Sequence, residues 1–217
     1  MKTTDLPLAL KFLRKTIKLW RVPVVTVISY HRNPFMVLVS CLLSLRTRDE
    51  ITEAASKRLF ALARSPKKLL HLDPEIVEGL IYPVSFYRKK TLTLYEICRS
   101  IIAENKGKVP DSLDKLLSLK GVGRKTANLT LVLGYNKPGI CVDVHVHRIM
   151  NRWGYIQTKS PDESEIALRQ KLPKRYWMEI NNLLVSFGQN ICKPQSPYCS
   201  KCKISKYCDK NGITRHR

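Results

Sequence analysis

Four of the chain's seven cysteines crowd into residues 192–208, in the order Cys192-x6-Cys199-x2-Cys202-x5-Cys208. Disulfides need an oxidising compartment. The opening stretch MKTTDLPLALKFLRKTIKLW is too often interrupted by Lys and Arg to read as a secretory leader. No apolar run approaches the roughly 20 residues that span a bilayer. The chain therefore reads as intracellular, with no membrane partner, and metal ligation is the expected use of the four thiols. Thiolates bind zinc or the irons of an iron–sulfur cluster. Zinc modules usually pair two Cys-x2-Cys knuckles across a longer segment, whereas one knuckle stands here. The single compact loop favours a cluster over zinc. Cys41, Cys98 and Cys141 lie in apolar contexts and read as core thiols.

Charge points the same chain toward a polyanion. Lys and Arg outnumber Asp and Glu by 39 to 17, for a formal net charge of +22. Such a field attracts nucleic acid first and anionic membrane second. The bland alternative is an inert, solubilising surface. Lys193, Lys201, Lys203 and Lys206 lie between the cysteines. They make the loop a positive lobe that shapes a DNA-contacting surface and carries out no redox chemistry.

The pattern of apolar residues predicts an all-α fold. PFMVLVSCLLSLRT (34–47) is apolar nearly all round, as a buried helix is. Asp49 and Glu50 open an amphipathic stretch to about Arg64, acidic residues being favoured at a helix N-terminus. Residues 73–81, 85–105 and 175–190 repeat at helical spacing, and Ser160-Pro161-Asp162-Glu163 is a capping box. Near the N-terminus Leu10, Leu13, Ile17 and Trp20 form one stripe. VPVVTVIS (22–29) and GICVDV (139–144) are β-branched and read as short, isolated strands.

LLSLKGVGRKTANLTLVLGY (116–135) reads as helix, tight Gly-Val-Gly turn, helix. Gly121 and Gly123 permit φ > 0 and close backbone approach. The turn and the following helix start can cradle a phosphate. A Gly-x-Gly pair alone is more often an ordinary interhelix turn. Flanking Lys120, Arg124 and Lys125 make a DNA-backbone clamp the better reading. Lys125 begins the second helix among cations, a setting that favours the uncharged, nucleophilic amine. Downstream, CVDVHVHRIMNRW places Asp143 as a helix N-cap. A carboxylate there also suits sugar chemistry with a developing cation. His145, His147 and Arg148 follow, in phosphate-binding or structural roles.

The motifs LxGVGRKTAN, VDxHVHR and the cysteine spacing, in that order, resemble endonuclease III of the helix-hairpin-helix glycosylase superfamily, from about residue 30 to 208. The resemblance implies two helical lobes with a cleft between. One is a six-helix barrel domain with the helix-hairpin-helix (27–137); the other, an iron–sulfur cluster domain (1–26 and 138–217), carries a [4Fe–4S] cluster on Cys192, Cys199, Cys202 and Cys208. It implies a bifunctional enzyme of base-excision repair, acting as a monomer on double-stranded DNA with oxidised pyrimidines or abasic sites. The expected location is a prokaryotic cytoplasm beside the nucleoid, or the nucleus or mitochondrion of a eukaryote. Lys125 stands at the position of the family's Schiff-base lysine and Asp143 at that of its essential aspartate. The implied DNA contacts come from Lys120, Gly121, Gly123, Arg124, His145, Arg148, Lys193 and Lys201.

Several positions depart from the family pattern. Arg46 replaces a Gln that helps fill the gap left by a flipped base, and Phe86, in IYPVSFYRKK (81–90), is the candidate intercalating wedge. Lys120 replaces a Pro of the hairpin and adds an expected phosphate contact. Cys41 stands where the adenine glycosylases carry Glu, and Lys125 argues for the bifunctional branch. Two other readings stay open. One is a glycosylase of altered specificity for mismatched or oxidised purine bases. The other is a metal-stabilised DNA-binding module without catalysis.

Overall fold

Backbone groups in this chain find their partners locally. The computed structural model describes residues 1–20 and 23–217, and among these every regular element is helical, with no strand. The all-α expectation is met. The described chain divides into two compact units, Val24–Gly139 and a second made of Met1–Pro23 with Ile140–Arg217.

The N-terminal helix α1 (Leu6–Thr16) belongs to the discontinuous unit. Its Leu6, Ala9, Leu10 and Leu13 are fully buried. They pack with Ile149, Trp153, Ile180, Leu184 and Phe187 from the far end of the sequence. Burial contributes about 1.5–3 kcal/mol per leucine. Packing, not propensity, therefore holds α1, because so short a helix is marginal alone. Ile17 and Trp20 lie beyond its end, partly buried against the same core.

In Val24–Gly139 run α2 (Val24–Ser29), α3 (Pro34–Ser44), α4 (Asp49–Leu62), α5 (Pro66–Leu70), α6 (Pro74–Ile81), α7 (Tyr87–Asn105), α8 (Leu113–Leu117) and α9 (Arg124–Leu129). Helix α3 is buried from Phe35 to Leu43 and forms the unit's centre. Pro34 fixes its first φ, and Asn33 caps it by accepting from the N–H groups of Phe35 (3.0 Å) and Met36 (3.3 Å). The acidic residues Asp49 and Glu50 occupy the first turn of α4, as the dipole favours.

The remaining unit continues with α10 (Val144–Arg152), α11 (Pro161–Lys171) and α12 (Trp177–Asn190). Ser160 caps α11 by accepting from Glu163 N–H at 3.2 Å. The cysteine loop follows α12.

Both strand expectations are overturned. Val24–Ser29 is helical, and residue 22 lies outside the described residues. Residues 139–143 are irregular and lead into α10, whose first residue is Val144. A lone strand leaves its N–H and C=O groups unpaired, so without a neighbouring strand β-branched residues gain nothing from extension. Here they serve burial: Ile140 and Val142 sit in the core.

Candidate nucleic-acid interface and reactive residues

In the unit Val24–Gly139, the hairpin between α8 and α9 carries the basic motif. Gly121 has φ +78, and a Cβ there would lie 2.9 Å from Thr93 Cγ2 on α7. Gly123 behaves otherwise. Its φ of −91 and ψ of 175 are ordinary extended values, and open space surrounds its missing Cβ. Only Gly121 therefore uses the left-handed freedom expected of both; Gly123 supplies bare backbone as the N-cap of α9. Gly121→Ala is expected to lower stability by about 1–3 kcal/mol. Gly123→Ala should change it by no more than about 1 kcal/mol while weakening DNA binding. Denaturant midpoints and DNA titrations on the two variants check this pair.

Val122 is buried under the turn, while Arg124 and Lys125 are part-exposed in the first turn of α9. Lys125 lies close enough to the fully buried Cys41 of α3 to act on its thiol. Burial pushes that thiol up to about 12, and the lysine's charge pulls it the other way. Lys120, expected on a phosphate, donates instead to Glu96 Oε1 of α7 at 2.9 Å. Both partners are exposed, so the pair is weak and a phosphate can replace the carboxylate.

Arg46 and Phe86 stand together in the same unit. The Arg46 guanidinium lies 6.0 Å from the Phe86 ring centroid. Phe86 is 62% exposed, a large apolar ring held in solvent.

In the other unit, Asp143 is the N-cap of α10. Its Oδ1 accepts from His145 N–H (2.9 Å) and Val146 N–H (3.0 Å), and the residue is buried. His145 and Arg148 face α12 and the cysteine loop. Arg148 donates to His145 Nδ1 at 3.0 Å and to the carbonyl of Cys192 at 3.0 Å. Burial draws its guanidinium below the usual arginine range. Gly188 makes room for the pair, since a Cβ there would come 2.4 Å from His145 Nδ1. This intramolecular brace is the structural alternative to the phosphate role expected of both residues.

The four cysteines line one pocket, with Trp153, Phe187 and Ile191 in its wall. Among the described residues, no three His, Cys, Asp or Glu side chains are grouped to hold a single metal ion. The donor chemistry nevertheless suits thiolates. The buried Arg152 directs Nη1 to Cys192 Sγ at 3.5 Å and to the Lys193 carbonyl at 2.7 Å, while Lys210 N–H donates to Cys208 Sγ at 3.4 Å. Burial pushes the Cys202 thiol up to about 11 and raises Cys199 and Cys208, each further raised by neighbouring cysteines. A cation bound among them must displace those protons, so loading releases acid. Lys193, Lys201 and Arg217 gather about the Tyr198 ring at 5.3, 5.8 and 4.8 Å from its centroid. Arg152 and Tyr198 escaped sequence reasoning because no motif marks a residue whose role is to face a loop that folds back on it.

A model of the HhH-GPD superfamily of base excision DNA repair proteins matches residues 39–174. The chain is 49% identical to endonuclease III of Thermotoga maritima over 82% of this chain and 83% of that one. It is 44% identical to the chloroplastic endonuclease III homolog 1 of Arabidopsis thaliana, over 80% of this chain and 48% of the longer plant protein. Among solved structures, a trapped endonuclease III–DNA covalent intermediate matches with a TM-score of 0.86 and 31% identity, over 97% of each chain. Fold and motifs together define a helix-hairpin-helix enzyme of base excision repair. The chain belongs to the endonuclease III family of DNA glycosylases. Among the described residues no helix is long and apolar enough to cross a membrane.

Proposed function

We propose that this chain is a bifunctional glycosylase and abasic-site lyase that removes oxidised pyrimidines of the thymine glycol type from double-stranded DNA. The observation that carries the proposal is Lys125, a part-exposed amine in the first turn of α9 directly after the Gly121 turn, in a chain of this family. The damaged base is extruded from a bent duplex, at a few kcal/mol. Arg46 and Phe86 fill the gap it leaves. The Lys125 amine attacks C1′ of the sugar, the glycosidic bond breaks, and the base departs with its electron pair. Asp143 stabilises the cationic sugar and takes the amine proton. Ring opening gives an imine, which acidifies the 2′ hydrogen. Loss of that proton expels the 3′ phosphate by β-elimination, and water releases the lysine.

Lys120, Gly121, Gly123 and Arg124 of the hairpin, with His145, Arg148, Lys193 and Lys201, are the proposed contacts to the DNA backbone. Cys192, Cys199, Cys202 and Cys208 would hold a [4Fe–4S] cluster. The four thiols around one pocket and the donors aimed at its sulfurs support that group. When bound, it supplies a structural cross-link for the basic loop and no redox step.

Incision of duplexes carrying one defined lesion tests the reading. Wild type is expected to cut at thymine glycol and abasic sites faster than at oxidised purines or mismatches. Asp143→Asn should lower the rate about 10²–10⁴-fold. Asparagine caps a helix as well as aspartate does, so α10 survives and the loss reports the charge. Preferential action on mismatched or oxidised purine bases would favour the altered-specificity reading, which Arg46 motivates. Binding without any incision would favour a non-catalytic module.

A further inference from the structure

Arg46 and Phe86 share an unusual backbone state. Their φ values are +55 and +58, in the left-handed region. Each side chain there raises the energy by about 1–2 kcal/mol, so surrounding contacts must hold both loops. Those contacts come from one turn of sequence. Lys90, in the first turns of α7, directs Nζ to the carbonyls of Leu43 (2.8 Å) and Leu45 (2.7 Å) and to Thr47 Oγ1 (3.4 Å). Ser85 Oγ donates to the Arg46 carbonyl at 2.7 Å, and Ser85 N–H donates to Thr47 Oγ1 at 3.2 Å. The loop after α3 is thus gripped from two sides by the segment that presents Phe86. Beside it opens a groove of about 410 Å³, lined by Leu42, Leu45, Arg46, Phe86, Lys90 and Gly121.

We propose that Lys90 is a positioning residue that locks Arg46 and Phe86 into a single two-loop wedge before DNA arrives. This rests on the gap-filling role given to those two residues above. A wedge that must order itself on binding pays conformational entropy at that moment, whereas a preformed one does not. Lys90 is spent on protein carbonyls, and burial draws its pKa down to about 8. The same contacts satisfy carbonyls at the end of α3, so a purely architectural role is the competing account.

Single-turnover incision of one abasic site, in a duplex and in a single strand, separates the two. A duplex has a stacked hole to fill and a single strand has none. Lys90→Met is expected to slow duplex incision about 10–100-fold, the scale of a wedge displaced by about 1 Å. Single-strand incision should change less than about twofold, and 2-aminopurine opposite the site should lose its unstacking signal. Lys90→Arg, which keeps the donors, is expected to restore part of the duplex rate. Ser85→Ala deletes one hydroxyl from the same grip and should give a duplex-only loss of about 2–12-fold, an assay that stands should Lys90→Met fail to fold. Equal loss on both substrates overturns the proposal in favour of architecture alone. If Arg46→Ala and Phe86→Ala slow the duplex reaction while Lys90→Met and Ser85→Ala do not, the wedge stands and the lock is wrong. If neither Arg46→Ala nor Phe86→Ala affects the duplex, the wedge reading fails and the proposal falls with it.

Discussion

Borohydride added to the wild-type protein on abasic-site DNA is expected to yield a covalent protein–DNA species that survives denaturing electrophoresis, and Lys125→Ala is expected to yield none. Hydride reduces the imine carbon to a stable secondary amine, so the trapped bond marks the nitrogen that attacked. Strand cleavage by the variant should fall about 10³-fold or more, since removing a nucleophile removes the pathway, not one contact within it. The substitution is mild structurally. Lys125 is part-exposed in the first turn of α9, and alanine is the best helix former. Its charge acts on the Cys41 thiol, which burial holds protonated with or without it. Thermal unfolding should therefore move little, and DNA binding should fall only by the share of one cation. Trapping by Lys125→Ala at the wild-type level would assign the chemistry to another amine and remove the basis for placing the reaction at the hairpin.

Local chemistry was readable where neighbours in sequence are neighbours in space. The all-apolar run of α3, the Ser160 cap and the acidic start of α4 are local features, so the helices they mark were legible from the chain. The cap role of Asp143 was legible for the same reason. Composition misled at Val24–Ser29, where β-branched residues suggested a strand; the choice lay with partners, and no strand was there to pair. What the sequence hid is tertiary. Nothing in the sequence placed Glu96 of α7 beside Lys120, the partner it holds when no phosphate is there. Arg148 carried the pattern of a DNA contact, yet its guanidinium reaches Cys192. Lys90 sat unnoticed within RKK, because a lysine that binds carbonyls 45 and 47 residues away is spelled like any solvated one. Arg46 and Phe86 were legible as a pair of loop residues, but their shared left-handed backbone was not.

Cys199→Ser is expected to lose iron, visible absorbance and most of the stability of the unit that holds α1 and α10–α12. Serine's hydroxyl is a poor replacement for a thiolate, and a site with three of four corners filled releases its cluster. Loss of that cross-link should lower stability by about 3–5 kcal/mol, the scale of a removed structural disulfide. At about 2–4 °C per kcal/mol, Tm would fall by about 6–20 °C. The effect should concentrate there because Cys192, Cys202 and Cys208 all pack against that unit's core. DNA affinity should drop about tenfold, and the dependence of binding on salt should flatten, as Lys193 and Lys201 lose their fixed positions around Tyr198. Below the lowered Tm and at saturating DNA, borohydride trapping should persist, because Lys125 lies in the unit Val24–Gly139 and the Asp143 cap of α10 stays folded. Cys98→Ser is the control: its thiol is a core cysteine of the other unit, pushed up to about 12 by burial, and its loss should leave iron content unchanged. Metal analysis, absorbance and salt-dependent titration on the two variants read these outcomes. A Cys199→Ser protein that keeps its iron would dismiss the ligand assignment. One that sheds iron yet binds DNA with unchanged affinity would show that the loop shapes the protein but does not touch the duplex.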